Sequence, residues 1–222
     1  MTSLLCGDLI NGCAGLLQEL VSRDLAASGS ALSSPDTASH TAVLSTYVLP
    51  KVFQEPGNDG VWRLARHSKY WCREIWILPL HDQEMEHWLL VVICLKSHDV
   101  YLFDSFGSRE ILNPWIPKMF TIITLLVDAA QEQGHLRSVP KHGWVVQPLN
   151  IKRLQSNGHD CGVWILYAMT AVLRGKTIPF TPEEEMVGFR AWLSRMIRCL
   201  PCQVLEFCDP SLSDSSSDIE MY

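Results

Sequence analysis

The sequence predicts an α+β fold, an antiparallel sheet with helices packed around a central helix that begins at a cysteine. Three observations carry the prediction. Residues 87–104 read as two apolar strands joined by a short polar turn. Residues 161–173 form an apolar run that stops at Arg174-Gly175, a helix apolar on nearly all sides and therefore buried. Helical periodicity also appears at both ends of the chain. With 222 residues, 47% hydrophobic and eight of them tryptophan, the chain can bury a sizeable core.

In chain order, residues 8–21 have apolar residues at helical spacing despite two glycines, and 28–40 are a Ser/Ala/Thr-rich loop. Residues 74–80 read as a strand. Residues 87–95 are apolar without a break, a strand buried on both faces. A turn at Lys96–Asp99 leads to a partner strand over 100–104. Asn113-Pro114 opens a helix with proline at its first position, and Gly134 closes it after Gln133. Residues 143–149 form another strand. Thr181-Pro182-Glu183-Glu184 reads as a capping box for a surface helix whose buried stripe is Met186, Phe189, Leu193, Met196 and Leu200. Residues 1–208 are expected to make one folded domain, shortened at its N-terminus, and 209–222 an acidic, Ser-rich disordered tail.

Composition removes several classes. The net charge is −6, but Asp209, Asp214, Asp218 and Glu220 sit in the tail; the body carries about −2, an ordinary value. No Lys/Arg cluster points to nucleic acid. No run of eighteen apolar residues suggests a membrane span, and Met1–Asn11 lacks the basic residue of a signal peptide. The eight cysteines then read as reduced thiols in the nucleus or cytoplasm. Cys199 and Cys202 form a lone C-x-x-C without further ligands, so neither metal nor cofactor is expected. The chain is expected to be a monomer.

Cys161 is the residue that composition does not explain. At the first turn of a buried helix it feels the positive end of the helix dipole, which favours the thiolate. Asp160 fits as N-cap, and Gly162 leaves room for another chain to approach. Against this, free cysteine is among the most buried residue types, and the local sequence leaves the two readings level. A nucleophilic cysteine needs a base. Among eight histidines, His87 opens the most apolar strand. Asp104 ends its partner, where a bare carboxylate would be costly unless it oriented a base or capped the turn that follows. A ladder closed at Lys96–Asp99 would set Asp104 opposite Val91, so His87 must curl back on a bend. Gln155, in a loop with Asn157 and Gly158, could donate to an oxyanion beside the Cys161 N–H. His159 is nearer in sequence, but two residues away at a helix start its ring points elsewhere.

Together His87-Trp88, Asp104-Ser105 and Gln155-Ser-Asn157-Gly-His-Asp160-Cys161-Gly162 resemble the motifs of the ubiquitin-like-protein-specific (SUMO/sentrin-type) cysteine proteases, a papain-like fold. The resemblance implies Cys161 as nucleophile, His87 as base, Asp104 as orienter and Gln155 as oxyanion donor. It implies Trp88 as the lid over a narrow tunnel for a Gly-Gly tail, with Asn157 and Gly162 in the substrate site. The first helix and the last, with Arg190, are also similar to the family's. Where the family has a tryptophan that supplies the tunnel's other wall, this chain has Leu4 or thereabouts. The implied function is cleavage after the Gly-Gly terminus of a ubiquitin-like modifier (SUMO, NEDD8 or ubiquitin class, SUMO-like first), in deconjugation or precursor processing. The alternative is a catalytically weak or inactive modifier-binding module of the same fold.

Overall fold

The strand His87–Cys94, seven of whose eight residues are buried, is the centre of the protein. In the computed structural model, which describes residues 4–27, 37–54, 58–135, 143–176 and 181–198, it is the third of five strands in one sheet. The strands are β1 (Thr41–Val43), β2 (Ile75–Asp82), β3 (His87–Cys94), β4 (Asp99–Phe103) and β5 (Val145–Pro148), and they lie side by side in chain order. Alternation sends Leu89, Val91 and Ile93 into one core and Trp88, Leu90 and Val92 into the other. The unbroken apolar sequence of this strand is the signature of that two-sided burial.

Helices α2 (Val48–Gln54), α3 (Asn58–Ala65) and α5 (Ile116–Glu132) cover the first face. Helices α1 (Gly7–Ala27), α6 (Cys161–Leu173) and α7 (Glu185–Arg198) cover the second. The α+β class is as expected, but the sheet is not wholly antiparallel. β2, β3 and β4 pair antiparallel, while β1 runs parallel to β2 and β5 parallel to β4. The connections explain the difference. α2 and α3 separate β1 from β2, and a short helix α4 (Arg109–Leu112) and α5 separate β4 from β5. A chain that crosses over through helices re-enters its sheet in the same direction.

Other boundaries moved for local reasons. α1 continues six residues beyond the expected end. α2 and α3 are too short, and interrupted by Pro50 and Gly60, to show a periodic stripe. The helix at Asn113 opens with a 3₁₀ turn, Asn113–Trp115, that holds Pro114. From Arg109 to Glu132 the chain is long and apolar enough to cross a membrane; Met119, Ile122 and Leu126 nonetheless pack fully buried beneath the sheet. α7 begins at Glu185, four residues after Thr181. Thr181 Oγ1 is 2.6 Å from Tyr167 Oη, and Glu183 turns toward the loop before α6. Leu200, Cys199, Cys202 and the predicted tail lie outside the described residues.

Candidate active site

His87 begins β3 directly after Glu86, whose φ of 49° bends the chain out of the hairpin turn. This is the bend that the sequence demanded, and the register demands less of it than expected. The turn after β3 occupies 95–98, so Leu90 pairs with Phe103 and the next step of the ladder sets Asp104 level with Leu89 rather than Val91. His87 Nε2 lies 2.7 Å from Asp104 Oδ1, with both side chains all but inaccessible to solvent. Phe106 stacks on the imidazole at 4.6 Å.

Asp104 meets both His87 and the turn that follows it. Besides holding His87, its carboxylate accepts the backbone N–H groups of Phe106 (3.0 Å) and Ser108 (2.8 Å), capping the turn. Asn150 locks its main chain from the other side, accepting from Asp104 N and donating to Asp104 O. The turn needs Gly107, which has a φ of 64° and lies against the backbone of Lys152, where a Cβ would come within 2.7 Å.

Cys161 comes from the opposite layer, at the first turn of α6, and is 1% exposed. With Nε2 committed to Asp104, the other imidazole nitrogen, Nδ1, is the one left to pair with the cysteine. Burial by itself would raise the thiol. The hydrogen bond to His87, the backbone N–H of Trp88, the His87 charge and the N–H of Gly162 outweigh it, and the Cys161 pKa falls below its ordinary 9.0. Burial likewise opposes a charge on His87, but its bonds to Asp104 and Cys161 prevail and raise its pKa to about 9. Each group is thus shifted toward its charged form, the imidazole toward imidazolium and the thiol toward thiolate, the form in which sulfur is nucleophilic.

Asp160 sits at the N-cap position of α6, but its carboxylate does not cap the helix. Arg190 of α7 takes it through Nη2 at 2.6 Å and Nε at 3.1 Å, a charge-assisted pair stronger than a neutral cap. His159 Nε2 is 3.8 Å from the same carboxylate, in keeping with a ring turned away from the cysteine.

A model of the Ulp1 protease family, C-terminal catalytic domain, matches residues 37–202. The chain belongs to the Ulp1 protease family. Ubiquitin-like-specific protease 1A of Arabidopsis thaliana is 30% identical over 136 residues, covering 61% of this chain and 25% of that protein. Sentrin-specific protease 2 of Homo sapiens is 27% identical over 154 residues, covering 67% and 24%. The chain thus spans about a quarter of the length of these relatives. Among solved structures, the C-terminal Ulp1 protease domain in complex with Smt3, the yeast ortholog of SUMO, superposes with a TM-score of 0.60 at 16% identity, over 87% of this chain and 76% of that one. The Ulp1-like SUMO protease catalytic domain of Chaetomium thermophilum also gives 0.60, at 18% identity over 88% and 71%. At such identities the superpositions speak for the fold.

The remaining predicted residues of this Ulp1-family domain fall into two groups. Gln155, 1% exposed, lies in the loop before Cys161, with Nε2 donating to Asn157 O at 2.6 Å. Trp88, Gly162 and Asn157 are near the site, but their contacts are internal. Trp88 is 4% exposed and its indole N–H donates to Leu5 O at 2.9 Å. The chain that approaches Gly162 is the protein's own: a Cβ there would lie 3.0 Å from Leu5 Cβ and 3.3 Å from Ile10 Cδ1. Leu5, rather than the exposed Leu4, is thus the residue of this segment that packs against Trp88 and the start of α6. A cleft of about 410 Å³ opens here, lined by Leu4, Leu5, Cys6, Tyr47, His81 and Trp88. Asn157 is a hub of its loop: Oδ1 accepts the N–H groups of His159 and Asp160, and Nδ2 donates to Asp160 and Glu183. Glu183 also accepts from Ser156 N and Oγ, and these bonds overcome its desolvation to lower its pKa. Sequence reasoning missed Asn150 and Glu183 because a polar loop residue carries no mark of what it braces.

Proposed function

We propose that this chain is a cysteine protease that cleaves after the Gly-Gly terminus of a ubiquitin-like modifier, SUMO-like first, releasing it from conjugates or from a precursor. The observation that carries the reading is the fully buried His87–Asp104 bond at 2.7 Å beside a cysteine whose thiol is shifted toward thiolate. Charges are kept out of water at this expense where chemistry needs them. Family membership and the fold shared with a Smt3-bound protease domain support the substrate class.

In this reading the Cys161 sulfur attacks the carbonyl carbon of the terminal glycine. The developing oxyanion takes hydrogen bonds from Gln155 Nε2 and the Cys161 N–H. His87, oriented by Asp104, gives its proton to the leaving amine, and a thioester remains. His87 then takes a proton from the water that hydrolyses it. The cleft between Trp88 and the Leu4–Cys6 segment guides the tail, and the Trp88 indole over it selects residues without a Cβ.

The test is a panel of SUMO, NEDD8 and ubiquitin carrying an electrophile at the Gly-Gly terminus. Covalent labelling of the wild type by the SUMO probe, absent in Cys161→Ala, is the expected result. Binding of SUMO without labelling would make the protein a modifier-binding module instead.

A further inference from the structure

Gln155 can serve as an oxyanion donor only if its amide nitrogen, not its oxygen, faces the reacting carbonyl, and an amide can turn either way. One neighbour decides the matter here and a second secures it. Asn157 O, 2.6 Å away, is a backbone carbonyl and can only accept, so the atom beside it must be Nε2. Oε1 then points the other way and meets Ser105 Oγ at 2.7 Å. Ser105 has one hydroxyl proton, and this geometry spends it on Oε1. The reversed amide would set two oxygens against each other at Asn157. Ser105 also grips the backbone of the loop, its carbonyl accepting from Leu154 N at 2.8 Å and Gln155 N at 3.0 Å. Both Ser105 and Gln155 are sealed from water, so no solvent can replace the hydroxyl. One Nε2 hydrogen is engaged by Asn157 O, and the approach to Asn157 Oδ1, at 3.4 Å, is at the edge of bonding range. The second hydrogen, held only by this long contact, is the one the protease reading gives to the substrate.

From this geometry we propose that Ser105 is a positioning residue that fixes the orientation of the Gln155 amide and so holds the oxyanion donor ready. The inference rests on the protease reading above. Ser105 follows Asp104 directly, so one turn after β4 positions both the base, through Asp104, and the oxyanion donor, through Ser105. Without the hydroxyl, Oε1 is buried with no donor, and the amide, held only through Nε2 at Asn157, loses the anchor on its oxygen end.

The experiment measures steady-state cleavage of a fluorogenic aminocoumarin amide of the SUMO Gly-Gly terminus by wild type, Ser105→Ala, Gln155→Ala and the double variant. Gln155→Ala is expected to lower kcat by about 10²–10³-fold. Ser105→Ala should lower kcat by roughly tenfold or more, within the bound set by Gln155→Ala, with KM little changed. In the Gln155→Ala background it should have almost no further effect, because a residue that acts through the amide has nothing left to position. Alkylation of Cys161 by iodoacetamide, which forms no oxyanion, should keep its wild-type rate. Ser105→Cys, close in size but a weak donor, should behave as Ser105→Ala and decides the matter if the alanine variant does not fold. Wild-type kcat in folded Ser105 variants overturns the proposal, as does a loss that multiplies with that of Gln155→Ala, which would mark a merely structural role. A wild type that fails to cleave the substrate overturns the protease reading itself, and this inference with it.

Discussion

Cys161 and His87 each shift the other toward its charged form. Each is buried, and burial alone would discharge both. The shifts run toward charge because Asp104 holds the imidazole and the backbone N–H groups of Trp88, on β3, and Gly162, at the start of α6, join His87 on the sulfur. A pH profile of kcat/KM should read this directly. Activity should fall on the alkaline side near pH 9, where His87 loses its proton. On the acid side it should fall only below the ordinary thiol range, where Cys161 regains one. Asp104→Asn removes the carboxylate that raises His87, so its alkaline limb should move down and its turnover should drop substantially. An alkaline limb unmoved by Asp104→Asn would mean that another group sets it. His87→Ala should cost several orders of magnitude in turnover, and His159→Ala far less. The reverse order would misassign the base.

At the scale of elements, the site stands where two hairpin strands end, one helix begins and a loop is strapped between them. The helix and hairpin were legible in the sequence because apolar pattern and turn residues are local. Their meeting was legible because an antiparallel pair must bring His87 and Asp104 to one end of the sheet. The parallel edge strands were not, since β1 has three residues and β5 four, too few for a period to show. Nor was the loop's bracing, because Asn150, Asn157 and Glu183 act through contacts far apart in sequence. Glu183 offers a test of that bracing. Its carboxylate holds both backbone and side chain of Ser156 and Asn157, and Asn157 O holds Gln155. Glu183→Ala should speed hydrogen exchange at the Ser156 and Asn157 amides and lower kcat, while Glu183→Gln, which keeps an acceptor oxygen, should restore part of both. Unchanged exchange in Glu183→Ala would show that the loop holds its shape unaided. A companion test lies across the helix. Trp88→Phe keeps an aromatic ring but loses the N–H that holds Leu5 O, so exchange should rise at residues 4–7. Protection left intact there would assign the segment's anchoring to the packing of Leu5 on Gly162 instead.

On the scale of the whole molecule, the triad joins the sheet to the layer of α1, α6 and α7, so its protonation bears on folding. The two shifted groups act with opposite sign. His87 rises from its ordinary 6.5 to about 9, so its contribution is complete below pH 6.5 and is lost as pH rises through 9. Taken alone, that shift corresponds to on the order of 3 kcal/mol. Cys161 is lowered from 9.0, so its contribution is complete above pH 9 and is lost as pH falls through its native value. Above pH 6.5, between the native Cys161 value and pH 9, the loss on His87 is offset by the gain on Cys161, because native and unfolded chains then hold the same number of protons on the pair. The unfolding free energy of the wild type, taken relative to a His87→Asn, Cys161→Ala variant that has no titrating pair, should therefore change little across this window. It should fall only when acid protonates the native thiolate. Denaturant titrations at half-unit pH steps make the comparison. If the difference instead declined steadily toward pH 9, only His87 would be titrating, and the resting cysteine would be a neutral thiol.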